Sequence, residues 1–537
     1  MSSASGTLGY VSGSSNQVVV TGTNSLWTNS GSLYVGDRAS GNRLLVGNGG
    51  VVANGTGYLG YNSTASNNVA VVTGAGSLWS NRFSFSVGES GSGNRLVVSN
   101  GGTVANGFGF LGFGPIASNN VAVVTGTNSR WINSSDLSVG TRGSGNQLVV
   151  SNGGTVSASN VFVGLDADSL GNRVIVDGGT LRVTNVGGSA ALDIRRGTNV
   201  LNAGLIEADW LVMNNSAGFF TFNGGTFNVG SATVSNGAPF TVGNGTSNAA
   251  LNFTGDGTRT FGNGLVISSN ATVSFAAGVL NSSATTNRNG QSFVVGNGTS
   301  NAAFNLTGTN SHSFASGLVI NTNATLTGNG TISGNVTNRG TISAGNSAGS
   351  LKINGSLSLA ASAGMFFEIG GLLATNQYDQ VNVTNFVQFA GTLSLTLING
   401  FTPASSDTFT LMTFASRTST FANATNNAVL LTANQQRQFT VTYSATNLVV
   451  GNFQAASNLI FSLTAVIPAA NQVTVKFESV AGQSYQLQYS STLTNWTDAT
   501  SPPLTNLLTG ITTWIDDGTF TGGSLPAARF YRVRLVP

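Results

Sequence analysis

The sequence predicts an all-β chain: a right-handed parallel β-helix built from 26-residue coils, followed by a C-terminal antiparallel β-sandwich. Three observations carry this. One phrase recurs at a fixed interval: ASGNRLLVGNGGVVANG at 39–55, GSGNRLVVSNGGTVANG at 91–107 and GSGNQLVVSNGGTVSAS at 143–159, each starting 52 residues after the last. The composition, with 73 Gly in 537 residues, 40% hydrophobic and only 7% charged, suits short strands joined by tight turns. The last 80 or so residues switch to strict period-two alternation.

The coil is half of the 52-residue phrase. Asn16, Asn42, Asn68, Asn94, Asn120, Asn146 and Asn172 stand 26 residues apart. Four residues after each comes Val20, Val46, Val72, Val98, Val124, Val150 and Val176, and two residues before it comes serine in six copies, Ser14 to Ser144. A spacing this strict means that equivalent residues stack in successive coils. Each coil holds three apolar runs, such as Leu96–Val98, Thr103–Val104 and Phe110–Leu111, all too short for a helix. Three short strands per coil make a parallel β-helix, rising about 4.8 Å per coil, with the right-handed winding general to parallel crossovers.

The valines are expected to form an inward stack. The ladder asparagines are expected to occupy left-handed turn positions and to bond amide to amide, with the NGG glycines supplying positive φ at a second corner. Trp27, Trp79 and Trp131 recur in alternate coils, and Ala53, Ala105 and Ser157 are expected at the same place in the others. An outward tryptophan row would suit a sugar ligand. The residue preceding each Trp is Leu26, Leu78 or Arg130, and an Arg is rarely buried unpartnered, so the register turns Trp inward.

Four segments follow one another. Residues 1–200 hold the regular coils. Residues 201–345 continue them with a looser repeat, in which VGNGTSNAALNF at 242–253 returns as VGNGTSNAAFNL at 295–306. Residues 346–450 have longer strands and read as the closing end, which a repeat array needs to cover its last edge. Residues 455–537 form the sandwich: Val473, Val475 and Phe477 alternate with Thr474, Lys476 and Glu478; Tyr485, Leu487 and Tyr489 with Gln486, Gln488 and Ser490; Tyr531, Val533 and Leu535 with Arg532 and Arg534. The N-terminal TLGYVSGSSN matches the middle of a coil (YLGYNSTASN), so the chain is expected to begin inside the array and to associate end to end.

Several function classes are disfavoured. The net charge of +3 is dispersed, so no nucleic-acid footprint is expected. No stretch is apolar enough to span a membrane, and no export signal is present in this chain. With no Cys and one His, thiolate zinc sites and His-dependent triads are excluded, and no cofactor or metal is expected. That histidine, His312, lies in GTNSHSFASG, read as a turn. GTGYLG at 55–60 and GFGFLG at 107–112 fit a dinucleotide pattern, but no helix follows and they recur with the coils, so they read as turns. Carboxylates are the remaining route to chemistry. Asp166, Asp168, Asp177, Asp193, Glu207 and Asp209 are the densest group. Of these, Asp166, Asp168, Asp193, Glu207 and Asp209 are the candidate catalytic set for polysaccharide cleavage. Against this, Asp166 and Asp168 fall in the corner that holds Asp37 and Glu89, where solvated turn residues are expected.

ISAGNSAGSLKINGSLSL, YDQVNV and GTLSLTLINGFTPASSDTFTLMTF resemble the end of autotransporter-type passenger domains, and the coils resemble autotransporter-associated β-strand repeats. Only about 85 residues follow, where a true autotransporter carries a membrane barrel. YQLQYSSTLTNW and RFYRVRLVP instead resemble the small C-terminal sandwich of exported proteins from Verrucomicrobia-like bacteria. The resemblance implies a secreted or cell-surface, non-enzymatic structural or adhesive rod. Its implied partners are cell-surface or matrix glycans or proteins. The competing reading is a surface protein that binds or cleaves carbohydrate with the 166–209 carboxylates.

Overall fold

The computed structural model describes residues 1–11, 15–345, 347–434, 437–455, 460–461, 463–469, 472–479, 484–500, 503–505, 507, 510–519, 521 and 529–536. Ser14 of the serine series and the Leu535 side chain lie outside them. The described residues contain strands and turns and no helix. A parallel solenoid of about 16 turns occupies most of the chain.

Gly and Asn interrupt the apolar runs every few residues, and each interruption becomes a corner. One face of the solenoid stacks Gln17–Thr21, Arg43–Gly47, Val69–Thr73, Arg95–Ser99, Val121–Thr125 and Gln147–Ser151. The second stacks Leu26–Asn29, Val51–Asn54, Leu78–Asn81, Thr103–Asn106, Arg130–Asn133 and Thr155–Ala158. The third stacks Ser32–Val35, Thr56–Leu59, Ser84–Val87, Phe108–Leu111, Leu137–Val139 and Val161–Val163. Every pairing among them is parallel.

On the first face Val20, Val46, Val72, Val98, Val124, Val150 and Val176 pair in a single column and all point inward. Burying each is worth about 1.5–3 kcal/mol relative to exposure. Alternate residues face out, which is why Val97 and Val123 are only half-buried while Val98 and Val124 are sealed.

The asparagine ladder runs beside this column. From Asn42 to Asn172 every member is fully buried. The Nδ2 of Asn16, Asn42, Asn68, Asn94, Asn120 and Asn146 each donates to the Oδ1 of the next, over 2.8–3.1 Å. The left-handed conformation expected of these asparagines belongs instead to the residue before each: Ser15, Gly41, Asn67, Gly93, Asn119, Gly145 and Gly171 all have positive φ. The preceding residue makes the bend, and the ladder Asn keeps an ordinary backbone that aims its amide along the stack. A glycine column closes against it. A Cβ on Gly88, where φ is 77°, would lie 2.2 Å from Asn120 Nδ2.

The tryptophans point inward, with Trp79 and Trp131 fully buried. Their partners differ from the expected ones. Trp27, Trp79 and Trp131 pair with Val52, Val104 and Val156, while Ala53, Ala105 and Ser157 pair with Thr28, Ser80 and Ile132. The cause is the second corner, where coils run alternately 25 and 27 residues apart. The same unequal spacing builds a second buried asparagine column. Asn54 Nδ2 donates to Asn81 Oδ1 at 2.7 Å and Asn106 Nδ2 to Asn133 Oδ1 at 2.6 Å. Trp79 Nε1 and Trp131 Nε1 donate to Asn54 and Asn106 at 2.8 Å, so these two indoles satisfy their polar edges inside the core, whereas Trp27 Nε1 finds no partner among the described residues.

Beyond Asn172 the corners straighten. Asn172–Val183 covers two faces, and Gly197–Met213 pairs first with it and then with Ala191–Ile194. Parallel pairing then persists to Thr408–Thr418, which pairs with Gln380–Gln388. There the direction reverses. Asn447–Ala455 pairs antiparallel with Thr408–Thr418 and with Arg437–Tyr443, which lays a hairpin along the last parallel strand.

After residue 455 two antiparallel sheets enclose a separate core of Val475, Phe477, Tyr485, Leu487, Ala499, Tyr531 and Val533. The Gln486, Gln488 and Ser490 side of Ser484–Ser490 is buried rather than wet. The segment 497–500 crosses it, with Gln488 Nε2 bonded to Asp498 at 2.6 Å and Gln486 Nε2 donating to Thr500 O.

Candidate ligand-binding face

The carboxylates of 166–209 are spread over a corner and two faces, and those of Asp166, Asp193, Glu207 and Asp209 each have a separate partner. Asp166 is exposed and 3.7 Å from Arg142. Asp168 is exposed in the same corner, where its carbonyl accepts a bond from Ser144 Oγ at 2.9 Å. Asp193 is buried on the third face and paired to Arg195 Nε at 2.8 Å. Glu207 pairs with Arg182 Nε at 2.6 Å, across parallel neighbours on the second face. Asp209 Oδ2 accepts the backbone N–H groups of Asn185 and Ala190 at 2.9 and 3.2 Å, closing a turn. Asp177 is exposed beside Gly178. Among the described residues no three His, Asp or Glu side chains are placed to hold a metal ion. An Asp or Glu already tied to Arg, or capping backbone N–H groups, is oriented away from shared work on one bond.

His312 lies in the strand Ser311–Phe314 and not in a turn, and it is fully buried. In SHSF the His and Phe alternate inward, so the small polar neighbours that suggest a turn are the outward half of a strand. Burial lowers its pKa from 6.5 to about 4, leaving a neutral ring whose Nδ1 is 3.2 Å from Thr285 Oγ1. Arg259 occupies the same place 53 residues earlier. It too is buried, with its guanidinium held by the carbonyls of Ala277 and Gly255 at 2.9 and 3.1 Å and stacked 5.2 Å over Phe253.

The third face carries the outward aromatic groups. Its outward column reads Tyr34, Tyr58, Ser86, Phe110, Ser138, Phe162, Asp193 in successive coils. The turn that follows stacks Asp37, Tyr61, Glu89, Phe113, Thr141 and Leu165 beside it through backbone bonds. The aromatic residues of both columns are half-buried. Tyr34 and Tyr58 stack at 5.1 Å with planes 10° apart, and Tyr61 meets both edge-on at 5.0 and 4.7 Å. Phe110 and Phe113 meet edge-on at 5.0 Å. Arg142 lies 5.8 Å over Phe113, and Arg195 lies 5.5 Å over Phe162.

Glu89 is not a solvated turn residue. It is half-buried between the aromatic pairs, its carboxylate accepts Ser86 Oγ at 2.7 Å, and burial raises its pKa. Burial, and then Glu89, push the Tyr58 hydroxyl up to about 12. The sequence signal for this face was YLGY at 58–61 and FLGF at 110–113, with FVGL at 162–165 keeping the interval of 52.

No family model matches the chain, and no curated protein matches it. No helix among the described residues is long and apolar enough to cross a membrane.

Proposed function

We propose that this chain is an exported, non-enzymatic structural or adhesive rod of a bacterial cell surface or matrix, with glycans or proteins of that surface as partners. The observation that carries this reading is the unbroken core, which runs from Leu8 through the valine and tryptophan columns to Phe453. A single stack with buried amide ladders is a stiff, extended display surface. The scatter of the 166–209 carboxylates, with Asp166, Asp193, Glu207 and Asp209 each held by a separate partner, favours it over polysaccharide cleavage. The parallel solenoid with its covered last strand, and the antiparallel unit after it, agree with the resemblance to passenger domains and to a small exported C-terminal sandwich.

The experiment is attachment of beads coated with the intact chain to cell-surface and matrix polysaccharide preparations, with reducing ends assayed in the same wells. Attachment without released reducing ends is the expected result. Release of reducing ends that Asp168→Asn abolishes would overturn the non-enzymatic reading.

A further inference from the structure

We propose that the third face is a binding platform for a neutral, extended β-1,4-linked polysaccharide, with Tyr58, Phe110 and Phe162 as successive stacking rungs. The inference rests on the adhesive reading above and names its ligand.

The three rungs occupy every second coil of one outward column, with Ser86 and Ser138 between them. Successive coils are about 4.8 Å apart, so the rungs are about 10 Å apart. In an extended β-1,4-linked chain every second sugar presents the same face, and two sugars advance by a comparable distance. Each rung therefore meets an equivalent sugar ring. The two serines are almost fully buried between the aromatic residues and leave the rungs standing as ridges. Each ring is half-buried, with Tyr34 stacked on Tyr58 and Arg195 over Phe162, and the ring surface left in water has a cost that contact with the apolar face of a sugar relieves.

The charge on the face selects the chemistry. Arg142 is matched by Asp166 and Arg195 by Asp193. Glu89 is held by Ser86, with its pKa raised by burial. Both arginines are thus matched, while Asp37, held by Asn62, and Glu89 pair with no cation among the described residues, so the face offers an anionic chain no attraction and suits an uncharged one. Glu89 and Thr141 are half-buried in the adjoining column and supply polar edges for sugar hydroxyls. The flat parallel stack favours a straight chain over the coiled one of an α-linked glucan.

The test is a pull-down of the intact chain on cellulose and chitin, with starch as the control for geometry and alginate as the control for charge. The variants are Tyr58→Ser, Phe110→Ser and Phe162→Ser, singly and together, because serine already occupies this column in the alternate coils. Val97→Ser, on the first face, is the neutral control. Binding to cellulose or chitin, little to starch or alginate, and about tenfold weaker binding for each rung removed are expected. Circular dichroism checks that each variant stays folded. Unchanged binding by the folded triple variant, a preference for alginate or starch, or no binding to any of the four would overturn the platform. If the triple variant's beads still attach to matrix, the platform fails while the adhesive reading stands. If wild-type beads attach to nothing, that reading fails.

Discussion

Removing one rung of the asparagine ladder should cost far more in the middle of the stack than at its end. Asn120 is fully buried. Its Oδ1 accepts both the backbone N–H and the Nδ2 of Asn94, at 2.9 and 3.0 Å. Its own N–H and Nδ2 both donate to Asn146 Oδ1, at 2.9 and 3.0 Å. Asn120→Ala leaves two buried donors of Asn94 without an acceptor, while Asn146 Oδ1 keeps one of its two donors. At about 1–3 kcal/mol per orphaned buried group, two such groups make the loss about 2–6 kcal/mol. Asn16→Ala removes an exposed side chain that donates upward and should cost less than about 1 kcal/mol. Stacked repeats unfold in steps, so the assay is urea denaturation combined with hydrogen exchange of the amides at 94–146. Equal losses for the two variants, or a loss below about 1 kcal/mol for Asn120→Ala, would refute the ladder as a source of stability.

Three further outcomes follow from the same geometry. Gly112→Ala places a Cβ 2.1 Å from Asn146 Nδ2 at a φ of 80°, so it should destabilise by more than about 2 kcal/mol in thermal unfolding, and Gly237→Ala, with open space around its Cβ, by less. Trp79→Phe keeps the ring in the core but strands Asn54 Oδ1, and should cost about 1–3 kcal/mol, measurable in urea. Two buried groups should give opposing pH dependences. Asp379 accepts the N–H groups of Gly349 and Glu368, but burial dominates and raises its pKa from 3.8 to about 7. Between those values only the folded chain holds that proton, so stability falls as pH rises, by up to ~1.4 kcal/mol per unit. His312 is depressed from 6.5 to about 4, so only the unfolded chain holds its proton there and stability rises with pH. The two slopes cancel between about pH 4 and 6.5. Asp379→Asn should therefore expose a rising profile and His312→Phe a falling one; superimposable profiles would contradict both assignments.

The solenoid was legible because a strict 26-residue interval stacks like on like, and the inward valines declared themselves by that interval alone. The second asparagine column stayed hidden for a geometric reason. Its corner alternates between 25 and 27 residues, so a search at 26 slips by one position and sets Ala beside Trp where Val belongs. The bend was assigned to the ladder Asn because Asn tolerates positive φ, yet here Gly, Asn or Ser before it takes that role. His312 was misplaced because SHSF has the composition of a turn, and only its pairing with Ile332 marks it as strand. The aromatic face was present in YLGY and FLGF. Two glycine-rich turns repeated at 52 residues do not say which way their aromatic rings point until the neighbouring strands fix the pleat.

Core, ladders and aromatic face all depend on one register, and the absence of Cys from the chain allows a direct measurement of it. Val97 and Val123 are parallel neighbours whose side chains both face out. With about 4.8 Å between the strands, Val97→Cys/Val123→Cys falls within disulfide reach. Val71 and Val123 lie two coils apart, about 10 Å, and do not. On mild oxidation the first pair should form an intramolecular disulfide, seen as a two-proton mass loss and a 97–123 linked peptide, while Val71→Cys/Val123→Cys stays reduced. A Val71–Val123 link with no 97–123 link would contradict the stack of 26-residue coils.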